Sequence, residues 1–326
     1  MRRLFVIVAV ASTVLAACAK DNPTVGSGGS GSTGSTAASG SSGATSASGA
    51  SGTQTAAECA QANASALTNS GQLTIGTDNP AYPPWFSGGE TSANPDWKVD
   101  DPYTGKGYES ATAYAIADAM GFSKDQVQWV VAPFNQTYKP GAKDYDFAME
   151  QISYTAKRDE AVDFSESYYD VEQSLVAVKG TPIASATTIS ELKDYTIAAP
   201  IGTTSYDLIQ NVIQPNGEAG AYNTLADTVA ALNAGQIDGM VVDAPTAFYI
   251  ADPYVQEVKN SVVVGIFPQS GSTPAYVGAA FENGSPLVDC VNLALEQIKA
   301  DGTLDAIHQE WLVQKTNVGE VPVFSP

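Results

Sequence analysis

The chain has 326 residues, of which 15 are basic and 35 acidic, so its net charge is −20. This excess of negative charge argues against nucleic acid or anionic lipid as a partner, because both are bound through Lys and Arg. One histidine, His308, and three cysteines leave little material for a zinc cluster or for a Ser-His-Asp or Cys-His catalytic site.

The first 57 residues are predicted to be an export signal and a tether. Residues 1–17 begin with two arginines and continue as an apolar run too short to span a bilayer comfortably. The run ends at Leu15-Ala16-Ala17-Cys18, which resembles a bacterial lipobox and implies cleavage before Cys18 and lipidation of its thiol. An ordinary signal peptide that happens to contain a cysteine is the alternative. Residues 18–57 are almost entirely Gly, Ser, Thr and Ala, which predicts a flexible spacer.

Order is predicted to begin with a short helix from Glu58 to Leu67. A strand, Leu73–Thr77, then leads into a loop with three prolines that carries Asp78, Tyr82 and Trp85. Prolines stiffen this loop, and open α/β sheets bind ligands at the carboxyl ends of their strands. The loop is therefore a candidate binding segment, although its aromatic residues could equally serve packing.

A helix from Ser110 to Met120 and a strand, Val127–Val131, are predicted next, and Phe134 opens a longer loop. The stretch that follows offers Ser153, Thr155 and Arg158 just past a strand, with Asp159 opening a helical turn. A hydroxyl and a guanidinium at this spacing can converge on one carboxylate. A surface salt bridge beside a turn is the alternative.

The second half again alternates strands with helices, which favours an α/β protein. One strand leads into Gly202-Thr203-Thr204-Ser205 and then a helix, an arrangement typical of anion-binding sites. The segment lacks the lysine of a phosphate-binding loop. A buried strand, Ile237–Val242, delivers Asp243 at its carboxyl end. That carboxylate either caps a turn or pairs with a cation.

Six segments together resemble the extracellular solute-binding proteins for polar amino acids, which are the capture subunits of ABC importers. The likeness extends from Leu73 to Leu312. In chain order the segments are Gly76-Thr77-Asp78…Tyr82-Pro83-Pro84; Gly107-Tyr108-Glu109; Ser153-x-Thr155-x-x-Arg158…Val162-Asp163-Phe164-Ser165…Tyr168-Tyr169; Gly202-Thr203-Thr204; Gly235-Gln236-Ile237-Asp238…Val241-Val242-Asp243; and Ala300-Asp301-Gly302-Thr303-Leu304.

The resemblance implies an α/β fold of the two-lobed, type II periplasmic-binding-protein kind. The chain would cross between the lobes twice, near Asp170–Ser174 and Gly271–Tyr276. Residues 58–173 and 272–326 would form lobe 1, and residues 174–271 lobe 2.

The resemblance also implies ligand contacts from both lobes. Arg158, with Thr155, Thr203 and Thr204, would hold the α-carboxylate of an amino acid, while Asp243 and Ser153 would hold its α-ammonium. The side-chain pocket would be lined by Asp78, Tyr82, Trp85, Phe134, Glu150 and Gln151. The family commonly has small residues where this chain has Glu150 and Gln151, so Glu150 either pairs with a basic ligand or points away as a structural partner.

Two cysteines remain once Cys18 is lipidated, and outside the membrane two such cysteines usually pair. We therefore expect a disulfide between Cys59 and Cys290.

These features predict a monomeric, non-catalytic binding protein without cofactor or metal. It would be exported and held by lipidated Cys18 on the outer face of the bacterial cytoplasmic membrane, and its partners would be a small amino acid and the subunits of an ABC permease. One alternative is an enzyme resembling prephenate or arogenate dehydratases, with Glu150 or Asp78 as a general acid. The other is a ligand sensor that docks on a receptor.

Overall fold

The structure, a computed structural model, describes residues 54–255, 257–269, 275–314 and 321–326. The predicted signal, residues 1–17, the lipidation site Cys18 and most of the predicted tether lie outside these residues. The first helix, α1 (Ala56–Ala62), begins two residues earlier than predicted. The cause is a capping box, in which the Thr55 side chain accepts from the Glu58 N–H and the Glu58 carboxylate accepts from the Thr55 N–H.

The first lobe is built on a five-stranded mixed sheet. Its strands in chain order are β1 (Leu73–Thr77), β2 (Val127–Val131), β3 (Phe147–Ala148), β4 (Val162–Phe164) and, from late in the chain, β12 (Ala280–Glu282). They lie in the order β2-β1-β3-β12-β4. Strand β1 is parallel to β2 and β3, and β12 is antiparallel to β3 and β4. Every residue of β1 is buried, as expected for a central strand covered on both faces.

Helices cover this sheet and share one large apolar core with it. They are α1, α2 (Tyr108–Ala119), α8 (Leu287–Ala300) and α9 (Thr303–His308), which continues as a π-helical turn through Val313. Two short helices, α3 (Phe134–Thr137) and α4 (Ala156–Asp159), follow β2 and β3. Strands and helices thus alternate along the chain, as an α/β lobe requires.

The second lobe has its own five-stranded mixed sheet and its own cores. Its strands are β6 (Gln173–Val178), β7 (Ile197–Pro200), β8 (Gly220–Tyr222), β9 (Gly239–Asp243) and β10 (Ser261–Ile266), in the order β10-β6-β9-β7-β8. Its helices are α5 (Thr204–Leu208), continued by a π-helical turn to Ile213, α6 (Leu225–Asn233) and α7 (Ala244–Ala251). Helix α7 was not predicted from the sequence.

A two-stranded antiparallel ladder, β5 (Tyr169–Asp170) with β11 (Tyr276–Val277), stands apart from both sheets. The chain leaves this ladder after β5 and enters the second sheet at β6. The predicted return, Gly271–Tyr276, begins among residues 271–274, which lie outside the described residues, so that crossing stays a prediction.

The C-terminal residues 321–326 lie on the second sheet, and the prediction that they belong to lobe 1 is wrong. Val323 bridges Ile266, and the Phe324 ring packs against Phe267 with centroids 4.9 Å apart. Further along, Ser325 bridges Thr188. A buried aromatic side chain can pack into the core of either lobe, and the sequence of this segment contains no signal that favours one of them.

The predicted disulfide is present. Cys59 of α1 and Cys290 of α8 are bonded, with their Cα atoms 5.2 Å apart. The bond ties the first described helix to the long helix α8 across 231 residues of sequence.

Candidate functional site

Arg158 lies in the short helix α4, where the edge of the first sheet faces the second lobe. The helix begins at Ala156 because the Thr155 hydroxyl accepts from the Arg158 N–H at 3.1 Å. The helix ends at Asp159. The prediction that Asp159 opens the helical turn is therefore wrong, because the turn begins at Ala156. The cap fixes the direction of Arg158, and Thr155 therefore acts here as a positioning group.

Arg158 is 8% exposed, and its guanidinium binds carbonyl oxygens on both lobes. Nη1 donates to the Ser153 carbonyl at 2.7 Å, and Nη2 donates to the Gly202 carbonyl of the second lobe at 2.9 Å. Its plane lies over the rings of Tyr138, at 4.3 Å, and Phe134, at 5.3 Å. This cradle holds a cation in a fixed orientation between the two sheets.

No described carboxylate forms an ion pair with Arg158, since the salt bridge found among described residues joins Lys299 to Glu166. Burial lowers the pKa of Arg158, and the more distant Asp207 and Asp243 act in the opposite direction. The predicted alternative of a surface salt bridge is therefore wrong for this arginine. A buried cation held only by carbonyl groups and rings can still accept an anionic partner.

The second lobe presents hydroxyl groups to the same place. The Thr203 side chain accepts from the Tyr206 N–H and so starts α5 at Thr204. The Thr204 hydroxyl lies 3.3 Å from that of Ser153, which is 4% exposed. The predicted groups Ser153, Thr204 and Arg158 thus meet across the two lobes.

Asp243 ends β9 and precedes α7, yet its side chain makes no capping hydrogen bond to that helix. Instead, Gln173 Nε2 donates to Asp243 Oδ1, and the Ser205 hydroxyl donates to Gln173 Oε1. Burial raises the pKa of Asp243 to about 6, with Gln173 and the positive charge of Arg158 opposing the shift. Asp243 therefore does not cap the turn before α7. Its carboxylate is near enough for the charge of Arg158 to act on it, and its predicted role as a partner for a cation stays a prediction.

Glu150 is buried, and its Oε2 has no hydrogen-bond partner among the described residues. Burial raises the pKa of Glu150 well above its usual range, and the nearby carboxyl groups of Asp78 and Glu109 raise it further. Burial chiefly, and Glu150 in addition, raises the pKa of Tyr138, the residue that stacks on Arg158.

Gln151 has a role that the sequence did not indicate. Its backbone is left-handed, with φ of 47°, and this conformation turns its N–H and its amide toward Glu109. Glu109 accepts these bonds and one from the Tyr168 hydroxyl, while burial raises its pKa to about 7. The Gln151 side chain is therefore engaged by a buried carboxylate, and its predicted contact with a ligand stays a prediction.

The proline-rich loop after β1 reaches the other lobe through Trp85. The indole is 1% exposed, packs edge-on against Tyr108 and Tyr169, and donates Nε1–H to the Thr246 hydroxyl at 2.8 Å. The loop is held in place because Gly107, at φ 92°, lets its backbone approach closely enough for α2 to donate to the Pro84 and Trp85 carbonyls.

Tyr82, on the same loop, is half-buried, and burial together with Glu257 and Asp78 raises its pKa. Phe134 is half-buried against Tyr138. That Tyr82, Trp85 and Phe134 line a side-chain pocket stays a prediction.

Four residues that contribute to the site could not be identified from the sequence: Tyr138, Gln173, Thr246, and Glu109 as a hydrogen-bond acceptor. Tyr138 also donates to the Gly202 carbonyl at 3.4 Å, beside Arg158. None of the four stands in a spacing that points to a ligand. Glu109 is recognisable in the sequence only as part of the Gly107-Tyr108-Glu109 motif.

No group of three or more His, Cys, Asp or Glu side chains suited to a metal ion occurs in the described part of the chain. Within the same residues, no helix is both long and apolar enough to cross a membrane.

Two α/β lobes joined through a small ladder, with Arg158 on one lobe and Asp243 on the other, define a two-lobed periplasmic-binding-protein fold of type II. Residues 73–314 match the model of the bacterial extracellular solute-binding proteins, family 3. The chain belongs to this family.

Similar proteins agree with this assignment. Over 172 residues the chain is 30% identical to the ABC transporter glutamine-binding protein GlnH of Bacillus subtilis strain 168, an alignment that spans 52% of this chain and 58% of that relative. Among solved structures, an ancestral arginine-binding protein bound to arginine is 26% identical, with a TM-score of 0.58 over 74% of this chain and 98% of the other.

A further solved structure is the ancestral amino acid-binding protein AncCDT-1, described as a precursor of cyclohexadienyl dehydratase. It is 26% identical, with a TM-score of 0.59 over 74% of this chain and 95% of its own.

Proposed function

We propose that this protein captures a small zwitterionic amino acid between its two lobes and delivers it to an ABC permease. The observation that carries the proposal is the buried Arg158 guanidinium, which has no described carboxylate partner and lies within the electrostatic reach of Asp243 on the other lobe. A cation and an anion so placed fit the two charges of a free amino acid.

The lobes close because the ligand interacts more strongly with the closed arrangement than with the open one. A zwitterion held by Arg158 on one lobe and Asp243 on the other stabilises the closed arrangement more than an open one, and only such a difference shifts the equilibrium. In the described arrangement Arg158 and Tyr138 donate to Gly202 across the lobes. Thr155, Ser153, Thr203 and Thr204 then support the carboxylate and ammonium as predicted, and a closed complex presents the surface that a permease reads.

The N-terminal sequence supports attachment to the cell. We propose that residues 1–17 are removed and that Cys18 is lipidated, so the protein works as a monomer on the outer face of the cytoplasmic membrane. Its relatives include an ABC transporter glutamine-binding protein and an ABC transporter arginine-binding protein, which supports the proposed role in transport.

The protein is proposed to be non-catalytic, but one observation favours a second candidate. Glu150 is a buried carboxyl with a strongly raised pKa, the property required of a general acid at neutral pH, and a solved relative is a precursor of a dehydratase. Incubating the purified protein with prephenate and with arogenate tests this directly, and turnover that Glu150→Gln abolishes would favour the enzyme.

Calorimetric titration with the twenty amino acids, citrulline and ornithine tests the main proposal. We expect at least one to bind, and Arg158→Ala to weaken that binding by on the order of 100-fold, since a charge-assisted bidentate contact is lost. Lys157→Ala is the matched control, because Lys157 is an exposed cation in the same helix. Equal affinities for the two variants would contradict the proposal.

A further inference from the structure

Glu109 is a fully buried carboxyl group that the proposed function does not use. Its Oε1 accepts hydrogen bonds from the Gln151 N–H, at 2.6 Å, and from the Tyr168 hydroxyl, and its Oε2 accepts one from the Gln151 side-chain amide. None of the Lys or Arg residues in the described ranges forms an ion pair with it. Because all three bonds come from neutral donors, this carboxyl fixes the positions of the groups that surround it.

These bonds hold Gln151 in a backbone conformation that residues with a side chain rarely adopt. Its φ of 47° lies in the left-handed region, which favours glycine. Such a conformation persists only where the surrounding structure determines it. Two of the three hydrogen bonds to Glu109 come from Gln151 itself, one from its backbone and one from its side chain. Glu109 therefore supplies the constraint on this turn.

The turn at Gln151 sets the direction of the segment that carries the ligand groups. Ser153 follows two residues later, and its hydroxyl lies 3.3 Å from that of Thr204 on the other lobe. The Ser153 carbonyl accepts from Arg158 Nη1 at 2.7 Å. A change of backbone conformation at Gln151 would therefore displace Ser153 and, through its carbonyl, the guanidinium of Arg158.

The same carboxyl is connected to the small ladder of β5 and β11. Tyr168, which donates to Glu109, directly precedes β5, and its N–H donates to the Val277 carbonyl of β11 at 3.2 Å. Ser153 forms an antiparallel bridge with the same Val277. The segment with the ligand groups and the ladder are thus hydrogen-bonded to each other, and Glu109 binds one residue beside each of them.

We propose that Glu109 and Gln151 are positioning residues of the amino-acid site: Glu109 holds Gln151 in its left-handed conformation, and this turn presents Ser153 and Arg158 to the ligand. The inference rests on the proposed function, in which Ser153 and Arg158 contact the ligand. Gln151 acts through its backbone, while its side chain is bound to Glu109. A segment fixed by the protein's own hydrogen bonds does not have to be ordered by the ligand, which favours affinity.

Glycine and alanine at position 151 separate this role from a direct contact between the Gln151 side chain and the ligand. Both substitutions remove the amide, but only glycine adopts the left-handed conformation without a steric penalty. Calorimetric titration of the intact wild type with the twenty amino acids, citrulline and ornithine selects the one that binds most tightly. For that amino acid, Gln151→Gly should stay within about 3-fold of the wild-type affinity, and Gln151→Ala should bind roughly 10-fold more weakly than Gln151→Gly.

A double-mutant cycle tests the part played by Glu109. Glu109→Ala should weaken binding of the same amino acid roughly 10-fold in the wild-type background, because the turn loses its constraint. Combined with Gln151→Gly, the same substitution should cost no more than about 3-fold, since glycine needs less constraint. Glu109→Gln, which fills nearly the same volume, takes its place in the cycle should Glu109→Ala fail to fold.

Gln214 provides the matched control for the substitutions of Gln151. It is also left-handed, with φ of 52°, and exposed, and it follows the π-helical turn at the far end of α5 from Thr204. Gln214→Ala and Gln214→Gly should differ in the free energy of unfolding and bind the amino acid with equal affinity.

The outcomes separate the positioning role from the proposed function. Equal losses of affinity in Gln151→Ala and Gln151→Gly would mean that the Gln151 side chain contacts the ligand. Unchanged affinities with a lower free energy of unfolding would mean that the turn serves stability alone. Either result, or an equal effect of Glu109→Ala in both backgrounds, refutes the positioning role, and the proposed function stands where binding still depends on Arg158. If no amino acid binds to the wild type, the proposed function itself fails.

Discussion

Trp85 and Thr246 join the two lobes by a buried hydrogen bond, in which the indole N–H donates to the threonine hydroxyl at 2.8 Å. Trp85 belongs to the rigid loop after β1, and Thr246 lies in the first turn of α7, three residues beyond Asp243. The contact between the lobes and the acidic residue of the proposed ligand site therefore lie on one short segment.

Thr246→Val should weaken ligand binding without unfolding the protein. The substitution keeps the volume but leaves the indole N–H unsatisfied when the lobes are closed, which costs about 1–3 kcal/mol, whereas in an open form water can accept that bond. We expect roughly a 5- to 150-fold loss of affinity and a larger radius of gyration by small-angle scattering.

Thr246→Ser retains the hydroxyl and provides the control. If the valine and serine variants bind the ligand equally well, the hydrogen bond does not stabilise closure.

Asp243 should make amino-acid binding depend on pH. Burial raises its pKa to about 6, and its carboxylate form is required to hold an α-ammonium, so affinity should fall as the pH drops through about 6. Titrations of a neutral amino acid between pH 4.5 and 8, values chosen to bracket that pKa, check this, and Asp243→Asn should be weak and nearly independent of pH.

The stability of the unliganded protein should move in the opposite direction. Because the folded pKa of Asp243 lies above the ordinary value of 3.8, its contribution is fully present below that value and is lost as the pH rises through about 6. The loss is at most about 3 kcal/mol. A free energy of unfolding that rises over this interval only in the wild type, and not in Asp243→Asn, would contradict the assigned shift.

Much of the fold could be predicted because local patterns and burial agree. Strand β1 and helix α8 begin and end where the apolar run and the Ser285-Pro286 start predict. Helix α7 could not be predicted, because its residues Ala244–Ala251 are apolar nearly all round and carry no capping side chain, so periodicity does not separate a buried helix from a strand.

The charges of the site residues could be predicted from the sequence, whereas their hydrogen-bond partners could not. The signs of Arg158 and Asp243 suit the two charges of an amino acid, and the family resemblance placed these residues on opposite lobes. Nothing local indicated that Gln151 turns to Glu109, since this depends on a left-handed backbone at a residue other than glycine and on a carboxylate 42 residues away in the chain.

Removing the disulfide should lower stability without changing ligand affinity. The bond closes a loop of 231 residues, for which the chain-entropy account gives roughly 5 kcal/mol as an upper figure. Cys59→Ser together with Cys290→Ser should reduce the free energy of unfolding in urea by about 2–5 kcal/mol. Neither α1 nor α8 carries a predicted ligand residue, so calorimetric affinities should be unchanged, and a reductant should reproduce the effect on the wild type. A reduced wild type as stable as the oxidised one would refute this.

Phe324→Ala should destabilise the second lobe although only two residues follow Phe324 in the sequence. Its ring is 3% exposed, packs on Phe267, and closes over Gly265, where a Cβ would lie 2.7 Å from the ring. Truncating a buried phenylalanine costs about 3–5 kcal/mol through lost burial and the cavity left behind. Urea unfolding should show this as a lower midpoint.

The neighbouring Val323→Ala is the matched control, because Val323 is 61% exposed and donates no side chain to the core. Its effect should stay within about 0.5 kcal/mol. If both substitutions destabilise equally, the tail acts through its backbone bridges to Ile266 and Thr188, and the Phe324 ring is not the anchor of the C-terminal segment.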